Sequence, residues 1–244
     1  MNKGKPLDFL LNNPYLDLCS ICGLKKKLTF EHMPPKASGN TNPVNIIGLE
    51  NMTPLGGYLQ GKFKKSPKGM GGYKLCEECN NLTGSWYGES YIELSNQINR
   101  SITENLGKSN VEFLCKIKPL NFLKQVISLL LCSDQATGML RNEVQKTNFI
   151  LNKEEQEISN KIFISKNITL QSTYGFKGFT SGWDSKNGFA SNIEFIYRPF
   201  YLRAAFDQNE ITEWSMDLVK FKEYKYNEEI EIGYNLDLSQ FRKK

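Results

Sequence analysis

The chain has 244 residues, 39% of them hydrophobic and 12% aromatic, and a formal net charge of +5. This length suits one large domain or two small ones, and the apolar content excludes a disordered composition. No apolar stretch approaches the ~20 residues that cross a bilayer, so we expect no membrane span. The first lysines are not followed by an apolar segment, so we expect no signal peptide and a cytoplasmic protein.

Charge is distributed unevenly along the chain. Residues 24–74 hold nine lysines and two acids, a local net charge of +7, whereas residues 206–240 hold nine acids and three lysines. A basic first half attached to an acidic second half predicts a polyanionic partner for the first half. A solvated, lysine-rich loop is the alternative interpretation.

Residues 33–74 are rich in glycine, proline, asparagine and lysine, which mark turns rather than long elements. Short strands are predicted on either side, at residues 27–31 and 73–75. A connection this long inside a compact domain is unusual and tends to carry function.

Helical periodicity begins near Cys79. Apolar residues then recur at three- and four-residue spacing, as on the buried face of an amphipathic helix, at Tyr87, Tyr91, Leu94, Ile98 and Ile102. Pro119 fits the first turn of a second helix. Its buried side is predicted to hold Leu120, Phe122, Val126, Leu129 and Leu130. Cys115 and Cys132 have no paired spacing and are predicted to be core thiols.

Short strands are predicted after residue 160, at residues 162–164, 168–170, 193–197, 200–202, 214–222 and 230–232. The glycines predicted to separate them are Gly175, Gly178, Gly182 and Gly188. The pattern favours a mostly antiparallel sheet and hence an α+β fold. We divide the chain into an N-terminal module at residues 1–110 and a helix-plus-sheet domain at residues 111–244. The second domain could bind substrate, sense a trigger, form a homodimer or bind a partner protein.

Two Cys-x-x-Cys pairs, Cys19/Cys22 and Cys76/Cys79, lie far apart in the sequence. Two thiolates from one tight turn can occupy adjacent corners of a tetrahedron, so two such pairs predict a structural zinc site. Gly23 fits the turn that follows the first pair. The alternative is two dithiols or disulfides without a metal.

His32 is the only histidine of the chain, and it lies between the two cysteine pairs. Glu31 precedes it, and Pro34 and Pro35 restrict the backbone that follows. A lone histidine is more often a hydrogen-bonded surface or core residue, but this context favours a catalytic role.

The chain resembles the HNH endonuclease family. Its motif is a Cys-x-x-Cys pair, an acid–histidine pair followed by proline, and a second Cys-x-x-Cys pair followed by asparagine. Variants with Glu-His-x-Pro-Pro-Lys and Cys-Asn-Asn-x-Thr-Gly are most similar to residues 31–36 and 79–84 here. The resemblance covers residues 19–88. It implies the ββα-metal fold, in which a β-hairpin and a helix surround a metal ion.

The resemblance also implies residue roles. His32 would end the first strand and act as the general base, while Glu31 and Asn80 would bind a catalytic cation. A carboxylate and an amide oxygen are hard ligands that suit Mg²⁺ or Mn²⁺. Imidazole titrates close to neutral pH, as a base that deprotonates water must. The four cysteines would form the structural zinc site.

Lysines near the motif are candidates for sequence-independent contacts with the DNA backbone, namely Lys36, Lys62, Lys64, Lys65 and Lys68. Trp86 and Tyr87 could stack on a nucleotide, but packing of the cysteine region against the following helix is the favoured interpretation.

The chain departs from the family pattern in three ways. Asn80 replaces the last histidine, as in many relatives. The usual place of the middle asparagine, which supports a loop, holds Gly71 and Gly72, so Asn45 or Asn51 is a candidate from further away. The cysteine pairs are also further apart than in compact members, which indicates an inserted loop.

The leading hypothesis is a metal-dependent HNH endonuclease that cuts DNA, in a prokaryotic anti-phage defence or mobile-element setting. The alternatives are a noncatalytic zinc-knuckle module that binds nucleic acid, and a structural protein or subunit of a larger complex.

Overall fold

The computed structural model describes residues 16–46, 64–133, 139–158, 162–168, 176–184, 188–206 and 216–238. Within these ranges the fold is α+β, and the sheets are antiparallel. None of the described helices combines the length and the apolar character that a membrane span requires.

The N-terminal region contains a three-stranded antiparallel sheet in the order β1-β2-β5. Its strands are β1 (Leu16–Leu18), β2 (Lys25–His32) and β5 (Gly71–Cys76). Between β2 and β5, a separate antiparallel pair forms from β3 (Val44–Ile46) and β4 (Lys64–Ser66). The two strands predicted at residues 27–31 and 73–75 are therefore confirmed.

Helices occupy the middle of the chain. They are α1 (Glu77–Thr83), α2 (Glu89–Glu104), α3 (Pro119–Ser133) and α4 (Met139–Gln145), and a π-helical turn at Gly84–Gly88 joins the first two. The predicted apolar face of the first helical segment is buried from Tyr87 to Ile102. Pro119 begins α3 as predicted, and every residue of α3 is buried. A helix that is apolar on nearly all sides belongs in a protein core.

The described residues of the C-terminal half form seven strands: β6 (Asn110–Ile117), β7 (Ile162–Ile168), β8 (Phe176–Asp184), β9 (Gly188–Tyr197), β10 (Phe200–Phe206), β11 (Met216–Asp217) and β12 (Ile230–Asp237). Five of them form an antiparallel sheet in the order β11-β7-β10-β9-β8, and the other two, β12 and β6, form an antiparallel pair.

The strand predicted at residues 214–222 differs from the structure. Only Met216–Asp217 is extended, and a 3-10 helix occupies Val219–Glu223. Asp217 Oδ1 accepts a hydrogen bond from the Val219 backbone N–H at 2.9 Å, a local bond that favours a turn over a continued strand. Gly178 and Gly182 lie inside β8 and do not separate strands. Gly175, Trp214 and residues 169–170 lie outside the described residues.

An aromatic cluster connects the helices to the C-terminal sheet. The ring centroids of Tyr91 and Phe122 lie 5.9 Å apart, and Phe200 lies 5.1 Å from Tyr91 and 5.5 Å from Phe122. All three side chains are fully buried. Cys115 and Cys132 are also buried, which confirms them as core thiols. The division of the chain at residue 110 stays a prediction.

Candidate functional site

The four paired cysteines converge on one point. The sulfur atoms of Cys19, Cys22, Cys76 and Cys79 all lie within 4.8 Å of one another. Cys22 Sγ and Cys76 Sγ are 3.9 Å apart, close to the ~3.8 Å between sulfurs of a tetrahedral site with Zn–S bonds of ~2.3 Å. Four thiols at this spacing fit a structural zinc ion, and the predicted convergence of the two pairs is confirmed.

Backbone geometry supports the cluster. The Cys76 N–H points at Cys19 Sγ, with 3.4 Å between nitrogen and sulfur. Gly23 has φ of 70°, the left-handed conformation that closes the turn after the first pair. The Ser20 N–H donates to the carbonyl of Lys74, the extra residue of a β-bulge in β5, at 2.9 Å. The first cysteine turn is therefore fixed directly to β5.

Electrostatics in the cluster also favour a cation. A hydrogen bond from Cys79 lowers the pKa of the Cys19 thiol to about 4. The same bond raises the pKa of Cys79, and burial raises that of Cys76 to about 11. One thiolate can thus be stabilised by hydrogen bonds from neighbouring thiols. Four thiolates this close would repel one another and need a bound cation.

Gln145, in the C-terminal half of the chain, contacts the first cysteine turn. Gln145 Nε2, at the end of α4, donates to the Ile21 carbonyl at 2.7 Å. A Cβ at Gly23 would lie 2.8 Å from Gln145 Nε2, so a larger residue there would displace this side chain.

Strand β2 ends in the two residues predicted to be catalytic. Side chains alternate along a strand, which places Thr29 and Glu31 on one face and Phe30 and His32 on the other. The T-shaped contact between the Phe30 and His32 rings, 5.1 Å between centroids, agrees with this alternation.

Glu31 is a desolvated carboxylate. Burial raises its pKa to about 7. Among the described residues, no hydrogen bond or ion pair to this carboxylate is found, so its charged form gains nothing in return for the lost hydration. A carboxylate in such a place is suited to a cation.

His32 lies beside the loop before β5. Burial lowers its pKa, as do the nearby charges of Lys36 and Lys68, whereas a hydrogen bond with the Lys68 backbone raises it. Met33, directly after His32, donates its N–H to the Met70 carbonyl at 3.0 Å, which ties the end of β2 to this loop.

Asn80 lies on α1 and faces β2. Its Nδ2 donates to Thr29 Oγ1 at 2.9 Å. Thr29 precedes Glu31 by two residues, and alternation along the strand places both on the face that Asn80 packs against. Asn80 also directly follows Cys79, so the cysteine cluster fixes where α1 meets the strands.

A residue that sequence reasoning missed supports the loop. Asn40 is fully buried, and its Nδ2 donates to the Pro34 carbonyl at 2.8 Å and to the Met70 carbonyl at 2.6 Å. Its Oδ1 accepts from the Met70 N–H at 2.8 Å. Asn40 thus joins the segment after His32 to the segment before β5. Asn45 is exposed and Asn51 lies outside the described residues.

No sequence pattern indicates this role, because asparagine within a Ser-Gly-Asn run is typical of an ordinary turn. Gly71, one of the two glycines where the resemblance places the middle asparagine, has no room for a side chain. A Cβ on Gly71 would lie 2.3 Å from the Glu31 carbonyl oxygen and 2.7 Å from the Phe30 ring. No side chain fits there.

Several predicted DNA contacts are exposed near His32. Lys36 lies on a 3-10 turn at Lys36–Ser38, and Lys65 and Lys68 are exposed around the end of β4. The Lys68 ammonium lies 5.2 Å from the centroid of the Phe30 ring. Lys64 begins β4, and Lys62 lies outside the described residues.

Packing accounts for Tyr87. Its ring is fully buried and its hydroxyl donates to the Ile150 carbonyl at 2.8 Å, which leaves no face for a nucleotide. Trp86 is half-buried, and the Lys153 ammonium lies 5.7 Å from its ring centroid.

Comparison with known proteins gives no match: no family model, no curated protein and no solved structure matches this chain.

Proposed function

We propose that the chain is a metal-dependent endonuclease of the HNH type that hydrolyses DNA phosphodiester bonds. One observation carries the proposal: the antiparallel strands β2 and β5 and the helix that follows them meet at the cysteine cluster, and Asn80 packs beside the strand that ends in Glu31 and His32. A strand pair followed by a helix is the arrangement that the motif resemblance implies.

The assigned chemistry follows from the side chains. In the reaction, a water oxygen attacks phosphorus, its proton goes to a base, and the bond from phosphorus to the 3′ oxygen breaks. His32 is assigned as the base, because imidazole accepts protons near neutral pH and this side chain ends β2 directly after Glu31.

Glu31 and Asn80 would hold Mg²⁺ or Mn²⁺ through oxygen atoms, the donors that these cations prefer. When bound, such a cation stabilises negative charge on the phosphate and the leaving oxygen. Glu31 and His32 project from opposite faces of the end of β2, so a phosphodiester lying across that end would contact both.

The four cysteines would hold the structural zinc, and exposed lysines would contact the DNA backbone. Lys36 and Lys68 are close enough to His32 to affect its pKa, so they are suited to contact the same phosphodiester. We further propose that the protein acts in the cytoplasm of a prokaryote, in phage defence or as part of a mobile element. Its C-terminal region would form a homodimer or bind a partner protein.

Plasmid cleavage tests this function. Zinc-loaded protein with Mg²⁺ or Mn²⁺ should nick supercoiled DNA, and His32→Ala should lose at least ~100-fold in rate. Asn80→Ala should also lose activity, whereas the adjacent exposed Asn81→Ala should retain it. Equal cleavage by wild type and His32→Ala, or no cleavage with either metal, would contradict the proposal.

The second candidate is a noncatalytic zinc module that binds nucleic acid. Exposure of Lys36, Lys65 and Lys68 favours it, because backbone binding by lysines does not need His32. DNA binding by the wild type, without cleavage in the presence of either metal, would support this alternative.

A further inference from the structure

Thr29 connects α1 to the strand pair through two consecutive hydrogen bonds. Asn80 Nδ2 donates to Thr29 Oγ1 at 2.9 Å, and Thr29 Oγ1 donates to the Leu75 carbonyl at 3.0 Å. Both bonds are partly shielded from water. Residues from β2, β5 and α1 therefore meet at one hydroxyl group.

The direction of these bonds is fixed by chemistry. A carbonyl oxygen can only accept, so the single hydroxyl proton of Thr29 is committed to Leu75. Thr29 Oγ1 can then only accept from Asn80, and of the two ends of an amide only the NH₂ donates. The Asn80 amide must therefore direct Oδ1 away from Thr29.

We infer that Thr29 is a positioning residue, which sets the orientation of the Asn80 amide so that Oδ1 is presented to a divalent cation. This inference rests on the proposed function, since it takes Asn80 as a ligand. Without Thr29 the amide could turn by a half rotation and present its NH₂, which cannot bind a cation.

The placement of Glu31 supports this inference. Glu31 lies on the Thr29 face of β2, two residues further along, and within the described structure its carboxylate has no cationic partner. An oxygen of Asn80 presented beside it would give two hard donors bordering one space. Thr29 itself would not touch the cation.

The test measures cation binding apart from catalysis. Full-length, zinc-loaded protein is titrated with Mn²⁺, and free Mn²⁺ is measured by electron paramagnetic resonance. Thr29→Val, which replaces the hydroxyl with a methyl group, should weaken Mn²⁺ binding about tenfold, the effect of losing one hydrogen bond. Thr29→Ser keeps the hydroxyl and should bind within about twofold of the wild type.

A second comparison, made in the Asn80→Asp protein, separates loss of Asn80 positioning from a general loss of structure. In Asn80→Asp both side-chain oxygens can bind a cation, so orientation no longer matters. Thr29→Val should therefore weaken Mn²⁺ binding about tenfold in the Asn80 protein and by less than about twofold in the Asn80→Asp protein. Zinc content and thermal midpoint report on folding in each variant.

The outcomes distinguish this inference from the proposed function. Unchanged Mn²⁺ binding by Thr29→Val, or an equal loss in both backgrounds, overturns the positioning role and leaves the nuclease standing. Mn²⁺ binding that depends on Thr29 without DNA cleavage by the wild type overturns the nuclease alone. Failure of the wild type to bind Mn²⁺ overturns both.

Discussion

Asn40 and Met70 lie thirty residues apart in the sequence and are joined by two buried hydrogen bonds, one in each direction between the side-chain amide and the Met70 backbone. A third bond ties the same amide to the Pro34 carbonyl. The Met33 N–H donates to the same Met70 carbonyl at 3.0 Å, so Asn40 also supports the segment that directly follows His32.

Removal of the Asn40 amide should destabilise the fold and misplace His32. Asn40→Ala leaves the Pro34 carbonyl and the Met70 N–H without their side-chain partner. We therefore expect a loss of about 2–4 kcal/mol in the free energy of unfolding. Urea denaturation measures this loss. Asn45→Ala, on an exposed asparagine, is the matched control and should change stability by less than about 0.5 kcal/mol. Equal stability of the two variants would show that the Asn40 bonds contribute nothing.

Metal analysis should find about one zinc per chain, and loss of one thiol should lower that content. Cys22→Ser removes one ligand of the cluster at a half-exposed position. Removal of the ion with a chelator should lower the free energy of unfolding by several kcal/mol, since metal binding to such sites is coupled to folding. Cys115→Ala changes a core thiol outside the cluster and should keep its zinc. Equal zinc content in all three proteins would count against the site.

Exposed lysines beside His32 should determine the salt dependence of DNA binding. Each phosphate contact contributes a slope of about −0.9 in a plot of log affinity against log salt. Lys68→Ala and Lys36→Ala should each reduce the slope by about that amount. Lys225→Ala, an exposed lysine in the acidic C-terminal region, is the control. Fluorescence anisotropy at several salt concentrations measures the slopes, and identical slopes would remove these lysines from the interface.

Burial of Lys166 predicts a specific dependence of stability on pH. Desolvation lowers the pKa of this lysine from 10.5 to about 7, and the groups beside it include the Tyr234 hydroxyl, Cys115 and the rings of Phe122 and Phe200. Below pH 7 both folded and unfolded chains hold the proton, and the folded state carries the full cost of burying the charge. Above pH 7 only the unfolded chain holds it, so this cost falls as pH rises.

The wild type should therefore gain stability relative to Lys166→Met between pH 7 and pH 9, by up to about 1.4 kcal/mol per pH unit. This range stays below the pKa of Cys115, which burial raises to about 11. Lys220→Met, on an exposed lysine, should follow the wild-type profile. Parallel profiles for wild type and Lys166→Met would show that Lys166 keeps an ordinary pKa.

Local patterns predicted much of this structure because they report local physics. The spacing from Tyr87 to Ile102 predicted a helix face, and the paired cysteines predicted a cluster, since ligand spacing within each turn is set by the turn itself. The support by Asn40 was not predictable, because it depends on the return of the chain after thirty residues. The turn at Asp217 was missed, since one side-chain hydrogen bond outweighed the apolar pattern around it.

The crowding at Gly71 has a consequence for how the end of this sheet responds to substitution. A Cβ there would meet the Glu31 carbonyl oxygen, a backbone atom that cannot rotate away, so even alanine would force β5 and the end of β2 apart. The next residue back, Met70, is held by the Asn40 amide in both directions. The loop therefore has little room to yield, and the strain of a larger residue at position 71 would fall on the strand end that carries Glu31 and His32.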